Sequence, residues 1–440
     1  MGLGIGTGNA PRDKSHTLAW REIDWAKVKQ KVKEIQIRIA KATSDGRWRD
    51  VRSLQRLLVR SYSARLLAVR HVTEKKGRRT PGVDGQRWST PEAKVKAAAR
   101  LAEKGHRAKP LKRVYIPKAA GQGRRPLGIP CMLDRARQAL YALALEPAAE
   151  TRADRNSYGF RRMRSVQDAM SQCQINLARK CSARYVLKAD IEGCFDNISH
   201  AWILKHVPLP KKTLKQWLKA GFLEKQTWHL TEAGVPQGAC ISPCITNWVL
   251  DGLERRLTQS FPKHTSKVNQ RVNMIRYVDD SIVTGKSMPV LKQEVIPRVA
   301  PFLLERGLRL SPTKTKVAHV KQGFEFLGRQ LRKNPQGMLL IRPSKVNLKG
   351  LKRKVAAKLR KMTAVTQAAV IQELAPILNG WANAFQHDNS KKVFNQVDEY
   401  IWKKLWRWAR RRHLNKGAKW VLQKYFRSND QRNYIFACPS

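Results

Sequence analysis

Val272-Asn273-Met274-Ile275-Arg276-Tyr277-Val278-Asp279-Asp280-Ser281-Ile282-Val283-Thr284 sets two adjacent carboxylates between two short, β-rich runs. Runs of this kind hinged at a polar pair predict a hairpin with Asp279 and Asp280 at its tip. A solvent-exposed Asp-Asp turn has the same letters, because aspartate closes turns through local backbone hydrogen bonds. A third carboxylate far upstream bears on the choice. Val186-Leu187-Lys188-Ala189-Asp190-Ile191-Glu192-Gly193-Cys194-Phe195 reads as an apolar strand ending at Asp190, followed by a glycine and an aromatic. Alone, Asp190 would pass for a strand-end cap. If its strand lies beside the hairpin, three carboxylates converge, and hard oxygen ligands suit Mg²⁺, which keeps positions open for phosphate oxygens.

Between these stretches, Gly234-Val235-Pro236-Gln237-Gly238-Ala239-Cys240-Ile241-Ser242-Pro243 forms a Gly/Pro-rich turn. Asn247, Leu250, Leu253 and Leu257 then follow at spacings that suit a helix. The order Asp190, Pro236-Gln237-Gly238, Asp279-Asp280 resembles the palm of reverse transcriptases. Further blocks extend the likeness. Ile116-Pro117-Lys118 and Arg125-Pro126-Leu127-Gly128-Ile129-Pro130 look like finger segments, and Ser157-Tyr158-Gly159-Phe160-Arg161 like the block before the first catalytic strand. Gly307-Leu308-Arg309-Leu310-Ser311 with Lys314-Thr315, then Phe324-Glu325-Phe326-Leu327-Gly328, match the strands that close the palm. Asn379-Gly380-Trp381-Ala382-Asn383 and the basic-aromatic run from Trp406 to His413 resemble the thumb and maturase region. Over roughly residues 20 to 430 the chain resembles the group II intron-encoded reverse transcriptase/maturases.

The resemblance implies an α+β right-hand polymerase, with fingers and palm built on antiparallel sheet, an α-helical thumb/maturase domain and a helical N-terminal extension. The expected divisions are 1–95 for the extension and its RNA-contacting loop, 96–335 for fingers and palm, and 336–440 for the thumb. It implies that Asp190, Asp279 and Asp280 are catalytic and bind two Mg²⁺ ions. Lys118 and Arg125 would hold the nucleoside triphosphate, and Phe195 would exclude a 2′-hydroxyl sterically. Gln237 would support the nucleotide and template pair, with Lys314 at the primer or incoming phosphate. The implied partners are group II intron RNA, target-site DNA with its primer strand, and deoxynucleoside triphosphates. The implied activity is RNA-directed DNA synthesis during target-primed retrohoming, with help to splicing. A maturase that binds RNA without needing catalysis, and a retron-type or diversity-generating enzyme, are the alternatives. The Asn379-Gly380-Trp381 block and the long extension favour the group II family. Family members often carry a DNA-binding segment and a His-Asn-His endonuclease after the thumb; neither spacing occurs before Ser440, so no second nuclease is expected.

Composition points the same way independently. Lys and Arg number 88 against 32 Asp and Glu, a net charge of +56, and nucleic acid is the partner such a surface attracts. An anionic membrane surface would attract it too, but no apolar stretch approaches the roughly 20 residues needed to span a bilayer. Met1 to Ala10 is too short and too weakly apolar for a secretory signal, so a soluble, cytoplasmic protein, bacterial or organellar, is expected. Seven cysteines without a Cys-x-x-Cys give neither a zinc site nor a disulfide framework. Cys240 and Cys244 therefore read as small packing residues.

Val28, Val32, Ile35 and Ile39 recur at helical spacing, and Val51, Leu54, Leu58, Tyr62, Leu66 and Val69 continue similarly. Lys75 to Gly85 breaks the pattern with Gly, Pro and charge, marking a loop. The last region reads as helical again. Leu351, Val355, Leu359 and Met362 form one stripe, with Lys352, Arg353 and Lys354 on the other faces. Phe394, Val397, Ile401, Leu405 and Trp408 form a second seam, while Arg407, Arg410 and Arg411 offer phosphate contacts. Most tryptophans at such spacing are expected to pack in the core rather than stack on bases.

Overall fold

Apolar residues at helical spacing build four helices near the start of the chain: Trp25–Ser44, Trp48–Arg60, Tyr62–Glu74 and Pro91–Arg100. The protein is described here by a computed structural model covering residues 20–117, 123–262, 269–430 and 432–438. Asp24 caps the first helix, its carboxylate accepting from the backbone N–H groups of Ala26 and Lys27. Val32 and Ile39 lie in its buried face. The helical spacing read from Val51 to Val69 is divided at Ser61, whose extended backbone ends one helix and starts the next. Tyr62 is left 50% exposed by that break.

The first three pack on the long helix Met132–Arg152, which contains Pro147, and the fourth packs on Tyr62–Glu74. Proline has no N–H to offer the carbonyl of Leu143 one turn back. Gln36 replaces it: its Nε2 donates to that carbonyl at 2.8 Å, and Gln55 donates to the neighbouring Ala144 carbonyl at 3.1 Å. The amino-terminal helices are thus joined to the body through backbone carbonyls of this helix, one of which the proline frees. Gln36→Leu should leave the Leu143 oxygen unpaired and cost about 1–3 kcal/mol, read as a lower urea midpoint.

β1 (Leu111–Pro117) and β2 (Arg124–Ile129) form a hairpin. β3 (Tyr185–Asp190) follows, then a short hairpin of β4 (Phe222–Glu224) and β5 (Thr227–His229). The first sheet has the order β2-β1-β4-β5. It is not wholly antiparallel as expected, because β4 lies parallel to β1. β6 (Asn273–Tyr277), β7 (Asp280–Gly285) and β8 (Lys316–His319) complete the central sheet, β6-β7-β3-β8, antiparallel throughout. Alternation along its strands sends Leu187, Ala189 and Val283 into the larger core, and Val186, Ile275 and Ile282 into a second one with Phe326 and Leu331.

β9 (Phe324–Phe326), β10 (Arg329–Lys333) and β11 (Leu339–Pro343) form an antiparallel meander leading to the helices Lys345–Lys361, Gln367–Phe385, Lys391–Arg411 and Ala418–Tyr425. The two expected seams meet there: Leu351, Val355, Leu359 and Met362 share a core with Val397, Leu405 and Trp408. The last region is not helical throughout, since it holds β11 and a closing hairpin of β12 (Phe426–Asn429) and β13 (Arg432–Phe436). All seven cysteines are free, and Cys240 and Cys244 pack beside the larger core. Among the described residues, no helix is long and apolar enough to cross a membrane.

Candidate active site

The central sheet brings the acidic stretches together. Asp190, the last residue of β3, stands directly opposite Asp280, the first of β7. The final pair of the β6–β7 hairpin is Tyr277 with Asp280, so the tip is Val278-Asp279. The expected tip at Asp279-Asp280 is therefore off by one residue, and Asp280 already belongs to the ladder. Val278 has φ +61°, the left-handed region that tight hairpin turns use and β-branched residues avoid. Such a conformation costs on the order of 1–3 kcal/mol unless its surroundings enforce it. Gly159 lies against it so closely that a Cβ there would come within 2.3 Å of Val278 Cγ2. From inside the strand, Arg276 Nη1 donates to the Val278 carbonyl at 3.3 Å.

Asp279 is exposed at the tip, yet its carboxyl is held above its ordinary range. Desolvation by the surrounding protein is the main cause and the charge of Asp190 adds to it, while Arg125 pulls the other way. Asp280 is raised too, first by burial and then by the other two carboxylates, with Lys188 and the Leu327 backbone opposing. One buried oxygen of Asp280 has no hydrogen-bond partner. Lys314 Nζ lies 3.6 Å from Asp190 Oδ1. Three acids in mutual repulsion, partly compensated by lysine and arginine, form a site where a further cation is favoured.

The neighbouring turns are tied into one unit. Gly193, at φ +51°, starts the short helix Cys194–Asn197, which holds Phe195 half-buried against the larger core. The Phe195 carbonyl accepts from Val235 N–H at 2.6 Å, and Gln237 Nε2 donates to both oxygens of Asp196 at 3.2 Å. Gly128 N–H donates to the Gln237 carbonyl at 2.8 Å, linking β2 to this turn. Arg125 is exposed on β2. Lys118 lies outside the described residues. Lys352 is half-buried, its Nζ 5.0 Å from the Tyr400 ring, whereas Arg353, Lys354, Arg407, Arg410 and Arg411 are exposed on the helices Lys345–Lys361 and Lys391–Arg411.

Among the described residues, no group of three His, Cys, Asp or Glu side chains is gathered closely enough to cage an ion. Mg²⁺ does not need such a cage, because it binds through one or two carboxylates and fills its remaining positions with water and substrate phosphate. Asp190 and Asp279 fit that requirement, and the partnerless oxygen of Asp280 is a further hard donor.

Comparison with known proteins agrees with this geometry. The family described as reverse transcriptase (RNA-dependent DNA polymerase) matches residues 116–331. The N-terminal domain of reverse transcriptase matches 20–101, and the maturase-specific domain of group II introns matches 348–426. Protein YkfC of Escherichia coli is 30% identical over 302 residues, which are 60% of this chain and 79% of that protein. The group II intron-encoded protein LtrA of Lactococcus lactis is 26% identical over 335 residues, 62% of this chain and 55% of LtrA. The chain belongs to the group II intron reverse transcriptase/maturase family. A putative COX1/OXI3 intron 2 protein of Saccharomyces cerevisiae is 25% identical over 51% of this chain and 32% of its own length. The chain thus spans most of YkfC, but only about half of LtrA and a third of the yeast protein. Membership of the family fixes the fold as an α+β right-hand polymerase with a helical amino-terminal region. The family's activity is RNA-directed DNA synthesis, joined here to a group II intron maturase-specific domain.

Sequence reasoning missed the residues beneath the site. Arg276, Asn247, Asp251 and Gly159 all contact or support the tip. One signal was present: an arginine inside Met274-Ile275-Arg276-Tyr277 is a charge in an otherwise apolar strand, and a buried charge must have partners.

Proposed function

We propose that this chain copies the RNA of its intron into DNA, extending a primer at a target site, and holds the same RNA while it splices. The observation that carries the reading is the strand register that sets Asp190 opposite Asp280 and beside Asp279, in a chain whose net charge of +56 suits an RNA partner.

In this reading Asp190 and Asp279 hold the metal, and Asp280 shapes the corner from within the ladder. Two Mg²⁺ ions, when bound, supply activation of a primer 3′-hydroxyl and charge neutralisation on the departing pyrophosphate. The protein groups position and compensate charge. Arg125, whose field reaches Asp279, binds the triphosphate together with Lys118. Gln237, fixed through Asp196 and Gly128, lines the nucleotide. Lys314 moves from Asp190 to a substrate phosphate. Lys352, Arg353, Lys354, Arg407, Arg410 and Arg411 contact RNA phosphates. The proposed working parts are the helical extension at 1–95, fingers and palm at 96–335, and thumb at 336–440.

Phe195 acts as the gate against a 2′-hydroxyl, because a ring packed against the core cannot step aside for an extra oxygen. Phe195→Ala should raise incorporation of ribonucleotides relative to deoxynucleotides in primer extension, and an unchanged preference removes Phe195 from that role. The two activities separate by mutation. Asp190→Asn should stop DNA synthesis on an RNA template while group II intron splicing and RNA affinity persist. A variant that loses both together would contradict the reading.

A further inference from the structure

Resting on that reading, we propose that Arg276 is a positioning residue for DNA synthesis, setting the direction of Asp279 by holding the carbonyl of Val278. The guanidinium is almost fully enclosed, with its side chain 2% exposed. Its Nη2 donates to Asp251 Oδ1, and its Nη1 is shared between Asn247 Oδ1 at 3.2 Å and the Val278 carbonyl at 3.3 Å. One planar group therefore reaches three acceptors on two pieces of chain, the end of the helix Ser242–Leu250 and the hairpin tip.

The supports of Arg276 are anchored in turn. Asn247 Nδ2 donates to the Gly159 carbonyl at 2.8 Å, and Gly159 is the residue that Val278 packs against. Asp251 Oδ1 also accepts from Asp154 N–H at 3.4 Å. The strand backbone joins the same segment, with Arg276 N–H donating to Asn156 O and Tyr158 N–H to Arg276 O, each at 2.9 Å. The tip is held from beneath at its carbonyl and from the side at its Cγ2. Because Val278 immediately precedes Asp279, its peptide plane fixes where the Asp279 carboxylate leaves the turn.

A buried ion pair is a weak contributor to stability and can often be replaced by apolar groups. A fork of donors that bridges catalytic turn and scaffold has a geometric use that apolar groups lack. Arg276→Lys tests this use. Lysine keeps a charge near Asp251, so the carboxylate is not orphaned, but its single ammonium on a flexible stem cannot hold three acceptors in a plane. Asn247→Ala is the second variant, removing one support without burying an unpaired charge.

The native chain and both variants are compared by single-nucleotide addition on an RNA template with a DNA primer, by template-primer affinity, and by thermal unfolding. A displaced catalytic carboxylate should lower kcat by about 100-fold in Arg276→Lys, with the KM for deoxynucleotide and the affinity for template-primer nearly unchanged. Asn247→Ala should lower kcat less, with the same split, and its melting temperature should fall because the Gly159 carbonyl loses its donor, so its kcat is read well below that melting temperature. Native kcat in both variants overturns the proposal, as does a fall in kcat that merely tracks lost thermal stability or lost RNA binding. An inactive native chain instead overturns the polymerase reading itself and leaves Arg276 no synthesis to position.

Discussion

Replacing Asp279 with asparagine is expected to slow nucleotide addition by about 10³-fold or more, with RNA affinity and folding retained. Metal-mediated stabilisation of the transition state is worth several kcal/mol, and each ~1.36 kcal/mol is a factor of ten in rate. Asparagine keeps the size of the side chain and removes its charge. The native carboxyl is already held above its ordinary range by desolvation and by Asp190, so at neutral pH its ionised form is one the fold disfavours. Neutralising it relieves repulsion, and the melting temperature should be equal to native or higher. Single-turnover primer extension beside thermal unfolding checks both halves. A variant that synthesises at the native rate, or one that melts early, would count against the assigned role.

Arg329→Met is expected to be the most damaging single change to the joint between the β9–β11 meander and the terminal helices. Arg329 Nε donates to Asp388 Oδ2 at 2.7 Å, with the two side chains 4% and 2% exposed. Its Nη2 also donates to the Ala384 carbonyl, and its guanidinium carbon lies 4.7 Å from the Phe385 ring centroid. Removing the arginine leaves a buried carboxylate uncompensated, a loss of about 3–5 kcal/mol. Arg329→Met with Asp388→Leu should recover most of that loss, because an apolar pair needs no compensation. Urea midpoints of the single and double variants decide it, and a single variant as stable as the double would refute the assignment.

The central sheet was legible because its strands are apolar, β-rich runs that meet acids at their ends, which made Asp190 beside Asp279-Asp280 the arrangement to expect. The tip was misread by one residue for a local reason. Turn chemistry favours Gly, Asn or Asp at a positive φ, whereas Val278 takes that conformation under pressure from Gly159 and Arg276, which are distant in sequence or facing inward. The β4–β5 hairpin gave no signal at all. Its turn is Lys225-Gln226, both at positive φ, where the expected sign would be Asn-Gly. Ser61 ends a helix with neither Gly nor Pro beside it, and Pro147 sits inside one that continues, with Gln36 satisfying the carbonyl it frees. At Val278 and Pro147 a tertiary partner decided the local conformation, and single-sequence periodicity cannot see partners.

Primer extension by the native chain tests the whole most directly: an RNA template, an annealed DNA primer, four deoxynucleotides and Mg²⁺, read on a gel as product length. The expected result is DNA complementary to the template up to its 5′ end, abolished by chelating the metal and restored by returning it. No extension by a folded chain that binds the same template-primer would contradict the polymerase assignment.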